Sequence, residues 1–271
     1  MRQVAGFLSP AARRAAAALG IDARGMTGTG DGGRVTFADV HAGANAAPRG
    51  DEVVPFNTVR KRTATLLSAS KQTSAHTLVV RRADYTGIEA VRAGAGLTAL
   101  AFVARAVVDA LRQYPLMNAS VDGDALVVRR AVNLGIAVDL AYEGLVVPVV
   151  RDADGLRLRA LATSIRDVAA RARAKRLLPD DFAGGTFTIT NPGASGTWIS
   201  FPIINQPQVG ILSTDGVSKQ VLVDDDGRLV IAPVGHLCLT FDHRAVDGAY
   251  AGAFLDRIVE IVETRDWAAE L

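Results

Sequence analysis

Apolar residues recur at two spacings along the chain, and these spacings predict alternating helices and strands. Helical spacing runs through Leu97 to Arg112, through Arg159 to Lys175 with arginines toward solvent, and through Tyr250 to Thr264. Shorter apolar runs predict strands at Ala125 to Val128, Leu134 to Val138, Leu145 to Val150, Thr186 to Thr190, Val209 to Ser213 and Leu237 to Phe241. The pattern predicts a mixed α/β domain with a largely antiparallel or mixed sheet, not a doubly wound nucleotide fold.

The N-terminal residues show a separate, smaller helical pattern. Ser9 and Pro10 predict the start of a helix that ends at Gly20, and a second short helix begins in Thr36 to Val40. The residues that follow, Ala42 to Gly50, are rich in Ala, Gly and Pro, as linkers are. We predict a helical domain at residues 1–42, a linker at 43–51 and a larger domain at 52–271.

The loop between the two short helices satisfies Gly-x-Gly-x-x-Gly, the spacing of dinucleotide-binding loops, at Gly28 to Gly33. That motif requires a strand before it within a βαβ unit, and a helix is predicted here. We therefore interpret the match as accidental.

Composition narrows the class of protein. A chain of 271 residues with 49% apolar content can bury one large core plus a small appendage. The single cysteine, Cys238, excludes an internal disulfide, and its apolar strand predicts a core residue. A net charge of +2, with arginines spread along the chain, argues against a nucleic-acid partner. Because Met1 to Ala18 lacks an apolar signal core and charged residues interrupt Leu97 to Leu111, we expect a cytoplasmic protein without a membrane span.

Residues 242–248 read Asp-His-Arg-Ala-Val-Asp-Gly and follow an apolar strand. An imidazole titrates near pH ~6.5, so it can accept a proton at cellular pH and return it later. His243 is therefore a candidate general base. Without further motifs a lone histidine is more often structural.

Further motifs lie upstream of His243: Ser70-Lys71-Gln72, Tyr114 to Asn118, Gly144 to Asp152, Gly184 to Gly193 and Pro202 to Pro207. With them the chain, from about Val53 to its C-terminus, resembles the catalytic domain of the dihydrolipoyl acyltransferases of 2-oxo-acid dehydrogenase complexes. The resemblance implies a chloramphenicol-acetyltransferase-like mixed sheet with flanking helices. It also implies a homotrimer, possibly in a higher assembly, with each active site between two subunits.

The resemblance assigns three catalytic residues. His243 would be the base that deprotonates the acyl acceptor. Thr190, where the family places Ser or Thr, would donate its hydroxyl to the oxyanion of the tetrahedral intermediate. Asp247 would orient the loop of His243 through Arg244 or another basic side chain.

Other residues of these motifs are assigned binding or structural roles. Trp198 and Phe201 would line the acceptor channel, with core packing as the alternative, and Asn191 would contact substrate. Asp242 and Arg244 would be structural near the site, and Gly248 would permit close backbone packing. Acetyl-CoA would be the co-substrate, without a metal; the sequence does not place the CoA pocket.

The first 42 residues resemble the peripheral subunit-binding domain of the same acyltransferases, through Ser9 to Arg14 and Gly28 to Val35. In that family the domain docks dehydrogenase subunits through basic side chains. Arg13 and Arg14 are present, but Ala17 stands where the family commonly has another arginine, which weakens the predicted docking.

The acyl acceptor is left open by the sequence. Lipoyl domains present a modified lysine, and the four lysines here lie at 61, 71, 175 and 219, inside the catalytic resemblance, so no covalently bound lipoyl group is predicted. The chain would be trimmed, would use a lipoyl group in trans, or would serve another acceptor. Met1 directly before the small domain and Ala17 favour the last.

Free-standing relatives in tetronate antibiotic biosynthesis resemble the chain. The leading hypothesis is therefore acetyl-CoA-dependent O-acetylation of a primary hydroxyl on a small-molecule, tetronate-type intermediate. The alternatives are acyl transfer to dihydrolipoamide on a separate protein, and a non-catalytic assembly scaffold.

Overall fold

A computed structural model describes residues 7–44, 52–193, 196–224 and 226–271 of the chain. The chain divides into two units, Met1–Pro55 and Phe56–Leu271. Residues 45–51 of the predicted linker lie outside the described residues. In the part of the chain that the structure describes, no single helix has the length and apolar character to cross a membrane, and only a pair of helices bent by 120° passes that test together.

The first unit contains the two predicted helices, α1 (Pro10–Leu19) and α2 (Phe37–Ala44). The Ser9 hydroxyl accepts a hydrogen bond from the backbone N–H of Ala12 at 3.1 Å and so caps α1. Gly20 ends the helix in the left-handed conformation, with φ of 67°. A small apolar cluster, built largely from alanine, forms the core of this unit.

The glycine-rich loop of the first unit is explained by packing. A Cβ on Gly28 would lie 2.2 Å from the carbonyl carbon of Arg34, so only glycine allows the two backbones to approach. The regular element before this loop is the short 3-10 helix Ala23–Gly25, not a strand. The loop therefore lacks the context of a dinucleotide site, as the sequence predicts.

The second unit holds five helices and eleven strands among the described residues. The helices are α3 (Thr58–Thr73), α4 (Thr86–Ala95), α5 (Ala99–Gln113), α6 (Leu158–Arg173) and α7 (Gly248–Thr264). The strands are β1 (His76–Asp84), β2 (Ala119–Asp122), β3 (Ala125–Val128), β4 (Leu134–Ile136), β5 (Val138–Asp139), β6 (Leu145–Val146), β7 (Val149–Val150), β8 (Phe187–Thr190), β9 (Gly210–Thr214), β10 (Ser218–Val223) and β11 (Leu229–Asp242).

The main sheet has the order β1-β11-β9-β8-β4-β7, and β10 pairs with the first half of β11. The central pairs β9–β8 and β8–β4 are parallel, whereas β1–β11, β11–β9 and β4–β7 are antiparallel. The predicted mixed α/β architecture is confirmed. Helices α5, α6 and α7 contribute most of the buried helical side chains of the core, including Phe102 and Phe254.

Several boundaries differ from the sequence prediction for physical reasons. The predicted strand from Leu134 is interrupted at Ala137, and the one from Leu145 is interrupted at Val147 and Pro148, since proline cannot donate to a ladder. The last strand begins at Leu229, eight residues before the predicted start at Leu237, because β10 pairs with its first half. Helices α3 and α4 and strands β1, β2 and β10 were not predicted.

Candidate active site

His243 follows β11 directly, and a hydrogen bond fixes its backbone. Its N–H donates to the carbonyl oxygen of Ala75 at 2.9 Å, and the Ala75 N–H donates to Asp242 at 3.1 Å. The turn between α3 and β1 thus fixes the end of β11. The imidazole packs at a tilt against Phe241, with ring centroids 5.5 Å apart, and its side chain stays 45% exposed. The ring is therefore anchored yet open to a substrate.

Asp242 joins the α3–β1 turn to the loop of His243 through its carboxylate. Its carboxylate is buried and accepts hydrogen bonds from the Arg244 guanidinium, the closest at 2.7 Å, and from the backbone N–H of Arg244. Burial alone would raise the pKa of Asp242, but the hydrogen bonds from Arg244, Ser74 and backbone amides outweigh it and hold the pKa below its usual value. The carboxyl group of Asp242 is therefore charged in the folded protein at neutral pH, and its role there is structural.

Of the two partners that the sequence leaves open for Asp247, Arg244 or another basic side chain, the structure places the second nearby. The guanidinium of Arg244 pairs with Asp242, and among the described residues Asp247 has only His243 within ion-pair range, with 3.9 Å between Oδ1 and the imidazole Nδ1. That distance is too long for a hydrogen bond. Asp247 is 91% exposed and stands at the N-terminus of α7.

Close packing at Gly248 is also not found. A Cβ added to Gly248 would meet no atom within 4 Å, since this first residue of α7 has open space beside it. The expectation of a tight backbone approach there is wrong within this chain.

Thr190 ends β8, and His243 follows the opposite end of the neighbouring strands, so the two residues lie at opposite strand ends of the sheet. Thr190 pairs with Ser213 of β9, and Ser213 pairs with Cys238 of β11, which is five residues before His243. At about 3.3 Å per residue and 4.8 Å per strand, this separates Thr190 from His243 by roughly 17 Å along the strands and 10 Å across them. One chain cannot bring both groups to one acyl carbon. The Thr190 hydroxyl makes no hydrogen bond within the described residues, and the residue is partly buried.

The loop after Thr190, residues 191–201, carries the predicted binding residues, although residues 194 and 195 lie outside the described ones. Asn191 is exposed, and its side-chain oxygen accepts the N–H of Gly193 at 3.1 Å. Trp198 and Phe201 are 64% and 50% exposed, so neither is a core residue in this chain. The Lys71 ammonium lies over the Phe201 ring at 5.3 Å.

Two polar groups near the site were not singled out from the sequence. His76 opens β1 beside Asp242, and its Nε2 accepts the backbone N–H of Ile204 at 3.1 Å. Asp215 follows β9, is buried, and accepts hydrogen bonds from Ser200. Ile204 lies 128 residues from His76, and Ser200 lies 15 residues from Asp215, so the sequence does not reveal these hydrogen bonds. The only signal in the sequence was that residue 76 is a histidine.

Cys238 behaves as the core residue that the sequence predicts. It is fully buried, burial raises the pKa of its thiol to about 12, and it donates to Asp215 at 3.0 Å. A thiol with that pKa is not a nucleophile at neutral pH. Among the described residues, no cluster of three or more His, Cys, Asp or Glu could hold a metal ion.

In the first unit, Arg13, Arg14 and Ala17 are exposed on α1. Neither arginine forms an ion pair with any described residue.

Two known families match the chain. The 2-oxoacid dehydrogenases acyltransferase (catalytic domain) family matches residues 48–268, and the E3-binding domain family matches residues 6–41. These matches confirm the resemblance of both parts that the sequence motifs indicate.

Three curated relatives carry different acyl groups in their names. The lipoamide acyltransferase component of a branched-chain alpha-keto acid dehydrogenase complex from Bacillus subtilis is 33% identical over 95% of this chain and 71% of its own length. The dihydrolipoyllysine-residue succinyltransferase component of the Escherichia coli 2-oxoglutarate dehydrogenase complex is 36% identical, over 94% and 70%. The acetyltransferase component of the Corynebacterium glutamicum pyruvate dehydrogenase complex is 36% identical over 98% of this chain, which spans 45% of that protein.

Solved structures agree with the sequence relatives. The cubic core of a pyruvate dehydrogenase multienzyme complex is 31% identical, with a TM-score of 0.76 over 83% of this chain and 98% of its own. A dihydrolipoamide acetyltransferase from Azotobacter vinelandii is 32% identical, with the same TM-score and coverage. The description of the latter names a serine, a histidine 52 positions later and an asparagine four positions after that in its catalytic mechanism.

Proposed function

Because this chain belongs to the 2-oxoacid dehydrogenase acyltransferase family, we propose that it transfers an acyl group between CoA and a dihydrolipoyl thiol, with His243 as the base. The observation that carries the proposal is an open imidazole at the end of the longest described strand, on a backbone that is held by hydrogen bonds and by the ion pair between buried Asp242 and Arg244. The relatives named above act on lipoamide or dihydrolipoyllysine residues, which supports the dithiol as acceptor.

The spacing of the Azotobacter vinelandii residues supports the assignment of roles. Thr190 precedes His243 by 53 positions and Asp247 follows it by four, against 52 and four in that protein. A threonine hydroxyl can donate as a serine hydroxyl does. Asp247 stands where that relative has asparagine, so a neutral side chain serves there, which favours orientation of the imidazole over proton transfer by Asp247.

The chemistry needs one base and one oxyanion donor. The imidazole of His243 removes the proton from the attacking thiol, whose ordinary pKa of about 8.5 keeps it mostly protonated at neutral pH. The thiolate adds to the thioester carbonyl, and the Thr190 hydroxyl donates to the oxyanion that forms. When the intermediate collapses, the departing thiolate takes the proton back from His243. No acyl-enzyme forms, because both substrates are bound at once.

The active site lies between two protomers in this proposal. Thr190 and His243 stand at opposite strand ends of the sheet, so the hydroxyl comes from one chain and the imidazole from its neighbour in a homotrimer. A second feature supports self-association. One face of the β10–β11 hairpin carries four aliphatic side chains that are 64–76% exposed: Val221, Val223, Leu229 and Ile231.

The first unit docks a dehydrogenase subunit in this proposal. The match to E3-binding domains supports it, and Arg13 and Arg14 are exposed cations without an ion pair among the described residues, available to acidic side chains of a partner. Ala17 removes one contact of such an interface. We expect weaker docking than with an arginine there.

The acceptor is tested directly by mass spectrometry. The protein is incubated with acetyl-CoA and either dihydrolipoamide or a hydroxymethyl tetronate, and His243→Ala serves as the control. Acetylation of the dithiol that drops by roughly 10²-fold or more in His243→Ala supports the proposal. Acetylation of the tetronate hydroxyl alone would replace it with the O-acetyltransferase function first suggested by the sequence. Equal activity of His243→Ala would refute His243 as the base.

A further inference from the structure

Asp215 is a buried carboxylate without an ion-pair partner among the described residues. Its oxygens accept hydrogen bonds from the Ser200 N–H at 3.1 Å, the Ser200 hydroxyl at 3.0 Å, the Ser213 hydroxyl at 3.3 Å and the Cys238 thiol at 3.0 Å. A buried carboxylate is costly to the fold unless donors surround it. This one has four donors, and two of them belong to a single residue, Ser200.

Two hydrogen-bonded residues and one close packing contact hold the loop of residues 191–201 against the end of β9. Ser200 binds Asp215 through both its backbone and its hydroxyl. Thr197 accepts the N–H of Gly216, the residue after Asp215, at 2.8 Å. Gly193 packs so tightly that a Cβ there would lie 2.9 Å from the carbonyl carbon of Asp215. The described residues of the loop are therefore fixed to the end of β9.

The loop connects Thr190 to both exposed aromatic residues of the candidate site. Thr190 pairs in register with Ser213, whose hydroxyl donates to Asp215. The rings of Trp198 and His236 form a T-shaped contact, with centroids 5.3 Å apart. Trp198 stands two residues before Ser200 and Phe201 directly after it, so a displacement of Ser200 would move both.

We infer that Asp215 is a positioning residue: it holds the described part of the 191–201 loop and with it Trp198 and Phe201, the two residues that the sequence resemblance assigns to the acceptor channel. The inference rests on the proposed function for the identity of the acceptor and on that assignment for the place of the two aromatic residues in its channel. Asp215 touches no reacting atom in this scheme, so it acts on acceptor binding and not on the proton transfer of His243.

A fluorine label tests the loop without any activity assay. The chain has two tryptophans, Trp198 in the loop and Trp267 buried in the core. Protein labelled with 5-fluorotryptophan gives one ¹⁹F resonance for each. In Asp215→Asn a single carbonyl oxygen replaces two acceptors, so we expect the Trp198 resonance to shift or broaden while that of Trp267 stays. Asp226→Asn, an exposed carboxylate in the nearby hairpin, is the matched control and should move neither.

Kinetics separate positioning from a general loss of structure. We expect Asp215→Asn to raise the KM for dihydrolipoamide roughly tenfold, with kcat changed less than about threefold and the KM for acetyl-CoA unchanged. Ser200→Ala, which removes only the loop hydroxyl, should shift both readouts in the same direction by less, and replaces Asp215→Asn if that variant does not fold.

An unmoved Trp198 resonance, or a fall in kcat with an unchanged KM, would overturn the inference. If the wild type transfers nothing to dihydrolipoamide, the proposed function fails, and the Trp198 resonance alone then decides whether Asp215 holds the loop.

Discussion

At the scale of single residues, the position of the candidate base His243 depends on the buried carboxylate of Asp242. Asp242 is 1% exposed, and its carboxylate joins the turn before β1 to the loop of His243. Its position before His243 is visible in the sequence, but its partners are not. Ala75 lies 167 residues away, and only the pairing of β1 with β11 brings it near.

We expect Asp242→Asn to destabilise the fold by about 1–3 kcal/mol at pH 7, because it removes a charged acceptor from a buried network. The pKa of Asp242 is lowered in the folded state, so its contribution is fully present above the ordinary aspartate pKa of about 3.9 and is lost as pH falls toward the folded pKa. The difference in unfolding free energy between the variant and the wild type should therefore shrink below pH ~4.

Urea unfolding followed by circular dichroism at pH 7, 5 and 3.5, at one protein concentration, measures that difference. Asp256→Asn is the control, since its carboxylate forms an exposed ion pair with Arg81 and should cost under about 1 kcal/mol. A difference for Asp242→Asn that grew toward pH 3.5 would show that the Asp242 carboxylate does not lose its stabilising contribution on protonation.

At the scale of elements, the three long core helices were predicted from their apolar spacing, whereas α3 and β1 were missed for lack of such a pattern. The sequence places α5, α6 and α7 within two residues of their observed ends. Helix α3 was missed because it buries only Ser70 within this chain, so it shows no apolar stripe. Strand β1 lacks alternation because its first five residues are all partly buried.

The exposed apolar face of the β10–β11 hairpin is a candidate surface for self-association. Val221 pairs with Ile231 and Val223 with Leu229, so all four exposed aliphatic side chains share one face. We expect Ile231→Lys to weaken assembly, because it places a charge in a surface that a second protomer would bury. Light scattering over a concentration series measures the mass. Leu178→Lys, at an equally exposed leucine outside the hairpin, should leave the mass unchanged.

At the scale of the whole molecule, neither of the two proposed catalytic groups, His243 and Thr190, would suffice in the chain that carries it. Before the structure, only the resemblance implied an active site between two subunits. Sequence periodicity does not reveal at which end of the sheet a strand terminates. The register that separates Thr190 from His243 supplies a physical reason for that sharing.

Subunit mixing tests the shared site. Co-expressed His243→Ala and Thr190→Val chains should recover about a quarter of wild-type activity, because random pairing leaves about one interface in four with both groups intact. Each variant alone should lose roughly 10²-fold or more. The control replaces Thr190→Val by the double variant, which supplies no imidazole, and should recover nothing. Mixed chains no more active than the separate ones would place the site within one protomer.

The length of β11 has a consequence for how the molecule can change. This strand runs without a break through 14 residues, roughly 46 Å at about 3.3 Å per residue, from the apolar hairpin face to the turn of His243. It pairs with β1, β9 and β10, so a slip by one residue would turn its side chains to the opposite face. The pairing therefore fixes the number of residues between the hairpin and His243. Insertions can be accommodated at the hairpin tip, but not in the strand between the tip and the histidine.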